Sequence, residues 1–199
     1  GFAKEFSFDN AYEEIPKFWD EICEKYAANV YAGNPPNNPQ EKAIIENCIG
    51  EYGICIDEEK SACKGKFTYL IAGKYTGGEV PKGMKLYEFP QGEWAVFDSI
   101  GPIPESLQSL NTKIFKEWLP GNPEYEISGN ANIEWYDCVN GEKTDADYHS
   151  AIWIPIKKKE KYAYLMDKLK AAITNEYYYE AIFIEYAVLE DRTASILRH

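Results

Sequence analysis

Prolines and glycines cut the stretch from Leu86 to Lys157 into a strand, a helix and two further strands, and this β-α-β-β order most restricts the folds open to the chain. The segment LYEFPQGEWAVFDSI, from Leu86 to Ile100, holds two short apolar runs interrupted by Pro90-Gln91-Gly92, a bend before a strand. Gly101-Pro102-Ile103-Pro104 stops that strand, and Pro104 suits a first helical turn, where its missing N–H costs nothing. Leu107, Leu110, Ile114 and Trp118 then recur at helical spacing until Leu119-Pro120-Gly121 ends the helix. ANIEWYDC (Ala131 to Cys138) and HSAIWIPI (His149 to Ile156) read as strands on either side of the polar loop NGEKTDAD.

The first half repeats the order. Asp9 or Asn10 can cap a helix whose apolar stripe is Ile15, Phe18, Trp19, Ile22 and Tyr26, with Pro16 tolerable if the regular helix starts near it. Loop composition from Ala32 to Gln40 leads to a short helix starting at Asn38-Pro39 and closed by Gly50. Tyr52 to Asp57 and Phe67 to Tyr75 read as a strand pair joined by the charged loop Glu58 to Lys66. A weak duplication sets FTYLIAG against SAIWIPI, giving Tyr69 and Ala151 related places, and Gly77 to Gly83 is the linker. Gly1 to Phe8 reads as an edge strand or a lead-in.

The succession LYEFPQGEWAVFDSIGPIP, IFKEWLPGNPEYEI, NIEWYD and DYHSAIWIPIKKK closely resembles the gyrase-inhibitor-like (GyrI-like) effector-binding family, and FDNAYEEIPKFWDE and FTYLIAGKY resemble that family's first half. Related domains form the drug-sensing half of AraC-type and other multidrug-binding transcription regulators. The resemblance implies an α+β fold of tandem β-α-β-β (SHS2-like) units with pseudo-twofold symmetry. Two main helices then flank a groove over an antiparallel sheet, and the groove takes bulky, often cationic, aromatic compounds. Residues 1–159 would form this domain, with halves near 1–76 and 84–159, and residues 160–199 a C-terminal extension. The family's first strand precedes the helix at Ala11, and the chain is expected to begin just after it. Within the extension Tyr162, Leu165, Met166, Leu169 and Ile173 form a helix face. Glu180 to Leu189 suits a strand or a helix; as a strand it could fill the edge left by the absent one.

Charge narrows the function. The 199 residues carry a formal net charge of −12, which phosphates would repel, and no helix-turn-helix pair with a basic recognition helix is evident. Direct nucleic-acid binding is therefore not expected. No apolar run approaches the ~18 residues of a membrane span, and no secretory signal is evident. Cys23, Cys48, Cys55, Cys63 and Cys138 are odd in number and lack paired metal-ligand spacing, with only His149 and His199 as further ligands, so reduced thiols in cytoplasm, without metal or other cofactor, are the simplest account.

The candidate site centres on Glu134. Period two places Asn132, Glu134 and Tyr136 on one face of a strand, with irregularity expected after Tyr136. A mid-strand acid faces solvent, a partner or a pocket, and the resemblance associates an acid at this place with the drug groove. A carboxylate among rings is costly to desolvate, and a bound ammonium or amidinium offsets that cost while aromatic faces add about 0.5 to 2 kcal/mol each. Trp19, Tyr69, Trp94, Trp118 and Trp153 are the aromatic candidates, each with core packing as the commoner role. Relatives commonly carry Glu where this chain has Ala151, a difference that loosens selectivity for cations, admits a neutral flat ligand and leaves room.

The expected function is reversible capture of a hydrophobic or cationic aromatic small molecule between the helices of Trp19 and Trp118, in sensing or sequestration, by a monomer or homodimer. A rival is hydrolysis of a strained electrophile, as in some relatives, with Glu134 as base and Tyr69 or Tyr136 as donor. Neither a Ser-His-Asp set nor a phosphate loop is supported. The third class is an acidic module that docks a basic regulatory protein.

Overall fold

The computed structural model describes residues 1–57, 65–122 and 124–196, so Cys63, His199 and most of the charged loop lie outside the described residues. The chain divides into two compact units, one of residues 1–110 with 129–155 and the other of 111–128 with 156–199.

The first unit is built on six neighbouring strands in the order β1-β3-β2-β6-β7-β4. They are β1 (Phe2–Ser7), β2 (Tyr52–Ile56), β3 (Lys66–Ala72), β4 (Glu93–Ile100), β6 (Ala131–Tyr136) and β7 (His149–Lys158), whose last residues pass into the second unit. The β1/β3, β2/β3, β2/β6 and β6/β7 pairings are all antiparallel. The architecture is α+β, as expected.

Helix α1 (Ala11–Ile22) continues through a π-helical turn, Cys23–Ala27, into Ala28–Tyr31. Asn10 occupies the N-cap position without a side-chain cap; its backbone carbonyl accepts from Glu13 and Glu14 instead. Pro16 sits inside the helix rather than at its start, so the Tyr12 carbonyl loses its usual donor on an exposed face. The apolar stripe packs as the spacing predicts. Phe18 and Ile22 are buried with Phe2, Phe6, Phe67, Tyr69 and Ile71, and Ile15, Trp19 and Tyr26 close over them. Each fully buried side chain of this size contributes roughly 1.5–3 kcal/mol.

Helix α2 (Pro39–Glu46) begins where Asn38 Oδ1 accepts the Glu41 N–H at 2.8 Å. Glu41 answers by accepting from the Asn37 backbone N–H at 2.7 Å, Asn29 Nδ2 at 2.7 Å and Asn38 Nδ2 at 2.8 Å, and it is buried. Helix α3 (Glu105–Lys113) follows β4 and, like α1, continues through a π-helical turn, Ile114–Trp118, to Gly121.

One expectation is corrected, and one open alternative is decided. The family's first strand is present: β1 pairs with β3 from Phe2↔Ile71 to Ser7↔Lys66. Phe2 and Phe6 anchor it, so no further strand is needed at that edge. Glu180 to Leu189 is helical, inside α5 (Tyr178–Ile196). Its alternation gives way to helix because Ala181 and Ile184, at helical spacing, pack on Leu169 and Ala172 of α4 (Glu160–Thr174). In the second unit β5 (Tyr125–Ile127) pairs with the end of β7 from Tyr125↔Lys158 to Ile127↔Ile156.

Candidate functional site

Register assigns every strand residue of the first unit to one of two sheet faces. Opposed residues share a face, so Tyr69, opposite Cys55, lies on the face that carries Asn132 (opposite Cys55), Glu134 (opposite Gly53) and Tyr136. Helix α1 packs on this face. Ile54, Leu70, Ile133, Ala151 and Trp153 occupy the other face, where Trp94 also packs.

On the α1 face a short network surrounds Glu134. The Tyr136 hydroxyl donates to Glu134 Oε2 at 2.6 Å, and the Tyr69 hydroxyl also bonds the carboxylate. Trp19 Nε1 in turn donates to the Tyr69 hydroxyl at 3.2 Å. The Trp19 and Tyr136 rings meet edge to face, centroids 5.6 Å apart at 90°. Gly53 makes this convergence feasible, since a Cβ there would lie 2.2 Å from the Tyr69 hydroxyl and 3.0 Å from that of Tyr136. A glycine inside a strand, YGIC, signals close approach of another group, and that was the available sign of its role.

Burial pushes the Glu134 carboxyl above the usual carboxylate range, and the hydrogen bonds from Tyr136 and Tyr69 only partly oppose the shift. Desolvating a carboxylate costs several kcal/mol, whereas a hydrogen bond to a charged group contributes about 1.5–3. The site thus holds an acid short of a counter-charge. Burial and then the neighbouring carboxylate push both Tyr69 and Tyr136 far above the ordinary phenol value, so both remain donors. Asn132 Oδ1 and Ser150 Oγ, on the same face, are buried without hydrogen-bond partners among the described residues.

One cation borders the network. Lys143 Nζ lies 4.8 Å from the Trp19 ring centroid and 5.1 Å from that of Tyr136. Its loop is pinned by the Ile103 N–H donating to the Lys143 carbonyl at 2.9 Å, while Asp137 accepts from the backbone N–H groups of Val139 and Asn140. Nothing in the polar composition of NGEKTDAD singles out Lys143; its role depends on where the loop folds.

The sequence-derived candidates are therefore distributed. Trp19, Tyr69, Glu134 and Tyr136 converge. Trp94, Ala151 and Trp153 lie on the opposite face of the sheet, and Trp118 belongs to the second unit. Ala151 pairs with Trp135 and is buried, and the β7 residue on Tyr69's face is its neighbour Ile152, opposite Glu134. Ala151 thus opens no space beside Glu134. Among the described residues no group of three or more His, Cys, Asp or Glu could hold a metal ion, and no helix is long and apolar enough to cross a membrane. Cys23, Cys48, Cys55 and Cys138 are free thiols.

The α+β architecture is that of an effector-binding protein of the GyrI-like class. Residues 2–156 match the family model of the integron-associated effector-binding proteins (Cass2), and the chain belongs to that family. Among the solved structures that share its fold are two of similar length. One is SAV2435 bound to tetraphenylphosphonium, with a TM-score of 0.56 at 20% identity over 79% of this chain and 86% of that one. The other is a Staphylococcus aureus MU50 protein proposed to regulate transcription, with a TM-score of 0.53 at 20% identity over 79% and 90% of the two chains. No curated protein matches the chain.

Proposed function

We propose that this protein reversibly binds hydrophobic aromatic cations on the α1 face of its first unit, with Glu134 as counter-charge and Trp19, Tyr69 and Tyr136 as the surrounding rings. The reading rests on one observation: the half-buried Glu134 carboxyl is desolvated enough for its pKa to be raised, and among the described residues it receives only neutral hydroxyl donors. A bound cation would convert a costly desolvated charge into a paired one, and the rings would add cation–π attraction of about 0.5–2 kcal/mol. The phosphonium bound by SAV2435, a protein of the same fold, supports this choice of ligand class. Free thiols accord with a cytoplasmic setting, and the acidic balance with a sensing or sequestering protein that leaves nucleic acid to others.

Titration of tryptophan fluorescence with tetraphenylphosphonium, and with neutral triphenylphosphine oxide as control, tests the proposal. Glu134→Gln should weaken the cation at least ~10-fold and leave the neutral compound nearly unchanged, since the Gln side chain keeps the shape but not the charge. Equal loss for both compounds, or none for the cation, would remove Glu134 from the role. Product formed from a strained electrophile, abolished by the same variant, would point to the hydrolase.

A further inference from the structure

A cavity opens on the opposite face of the same sheet. It measures about 760 Å³ and lies wholly within the first unit, between the sheet and the irregular segment that follows β3. This is within the ~300–1,000 Å³ typical of small-molecule sites. Ile54, Leu70 and Ile133 form an apolar floor, and Tyr52, Phe89 and Trp153 supply rings. Trp153 and Tyr52 meet edge to face, with centroids 6.1 Å apart at 75°.

Two features bear on the occupant. Trp153 is half-buried and lines the cavity, so it offers a ring rather than a donor, its Nε1 being closed off. The rim carries Lys42, Lys74 and Lys85 against Glu46 and Glu79, with Lys42 Nζ 3.6 Å from Glu46. In a chain of net charge −12, this rim is not acidic.

We propose that this cavity is a second ligand site, distinct from the Glu134 site, for a flat apolar molecule with no positive charge. The ring system lies against Tyr52, Phe89 and Trp153, and an anionic group is tolerated by the lysines at the rim. The two faces of one sheet would then sort ligands by charge: cations to Glu134, and neutral or anionic compounds to Trp153.

The test uses 8-anilinonaphthalene-1-sulfonate as an anionic aromatic probe and tetraphenylphosphonium as the cationic one, both with the full chain. Trp153→Leu removes the lining ring but keeps an apolar side chain and should weaken the sulfonate about fivefold, the loss of one aromatic contact. Val80→Trp, on the exposed outer wall, fills the cavity without touching the sheet and should weaken it further. Both variants should leave phosphonium binding unchanged, and Glu134→Gln should leave the sulfonate unchanged. The proposal is overturned if sulfonate binding ignores both substitutions or if the two probes displace one another competitively. It is also overturned if the sulfonate binds only once a concentration-dependent dimer dissociates, which would assign the cavity to a second copy of the chain. Because the cation arm is read separately, failure here leaves the Glu134 proposal standing, and the reverse also holds.

Discussion

Lys143 places its ammonium 4.8 Å from the centre of the Trp19 ring, on the aromatic surface that borders the half-buried acid. The same ammonium lies 5.1 Å from the Tyr136 ring. The protein thus carries a tethered cation beside the rings proposed to receive a ligand cation.

Removing that competitor should help the ligand. Lys143→Met retains the length of the side chain but not the charge, and cation–π contacts at exposed sites are worth about 0.5–1 kcal/mol. Affinity for tetraphenylphosphonium, measured by tryptophan fluorescence, should rise roughly two- to fivefold, while that for neutral triphenylphosphine oxide changes less. An unchanged or weaker cation affinity would show that Lys143 does not compete.

Cation binding should expel a proton. The free protein holds Glu134 with a raised pKa, whereas a bound cation favours the carboxylate, so affinity should increase with pH from the ordinary carboxylate range up to the raised value. Calorimetry in two buffers of different ionisation enthalpy would detect the released proton. Identical heats in both buffers would contradict the linkage.

Stability without ligand should run in the opposite direction. A folded-state pKa above the unfolded value stabilises the protein fully below the unfolded pKa, and this contribution is lost as pH rises through the folded one. Denaturant titrations of Glu134→Gln should therefore show a flatter pH dependence across that window than the parent protein. A parent profile already flat there would mean that Glu134 ionises without penalty.

Gly53→Ala should injure the site and the fold together. The added Cβ would sit 2.2 Å from the Tyr69 hydroxyl, so one of two buried rings must move. Overpacking of this kind costs about 1–3 kcal/mol. Thermal denaturation should show the loss, and phosphonium affinity should fall in the folded fraction. Parent-like values in both measurements would show that the rings relax freely.

Glu41 carries the reverse pH signature. The Asn37 backbone N–H, with Asn29 and Asn38, holds its carboxyl below the ordinary range against the opposing effect of burial. Stability from this group is present above the unfolded pKa and disappears as pH falls through the folded one. Glu41→Ala should lower the melting temperature at neutral pH and narrow its gap from the parent in acid. An equal gap at both pH values would assign the loss to packing rather than to charge.

How much was legible in the sequence differs from element to element. The α1 stripe and the β-α-β-β order were readable because burial of one face imposes a period that survives without knowledge of any partner. Whether Gly1 to Phe8 is an edge strand or a lead-in stayed open because Phe2 and Phe6 become core only once β3 lies beside them, and the helical choice of Glu180 to Leu189 depends on the Leu169 and Ala172 surface it covers.

The candidate site divides in the same way. Local alternation by itself placed Asn132, Glu134 and Tyr136 on one face, since successive strand residues must point to opposite sides. The structure alone decided that Trp94, Ala151 and Trp153 belong to the other face, that Gly53 makes room for two hydroxyls, and that Lys143 reaches the rings. These facts depend on strand register and loop path, which are set by contacts between residues far apart in the chain and leave no periodic trace in it.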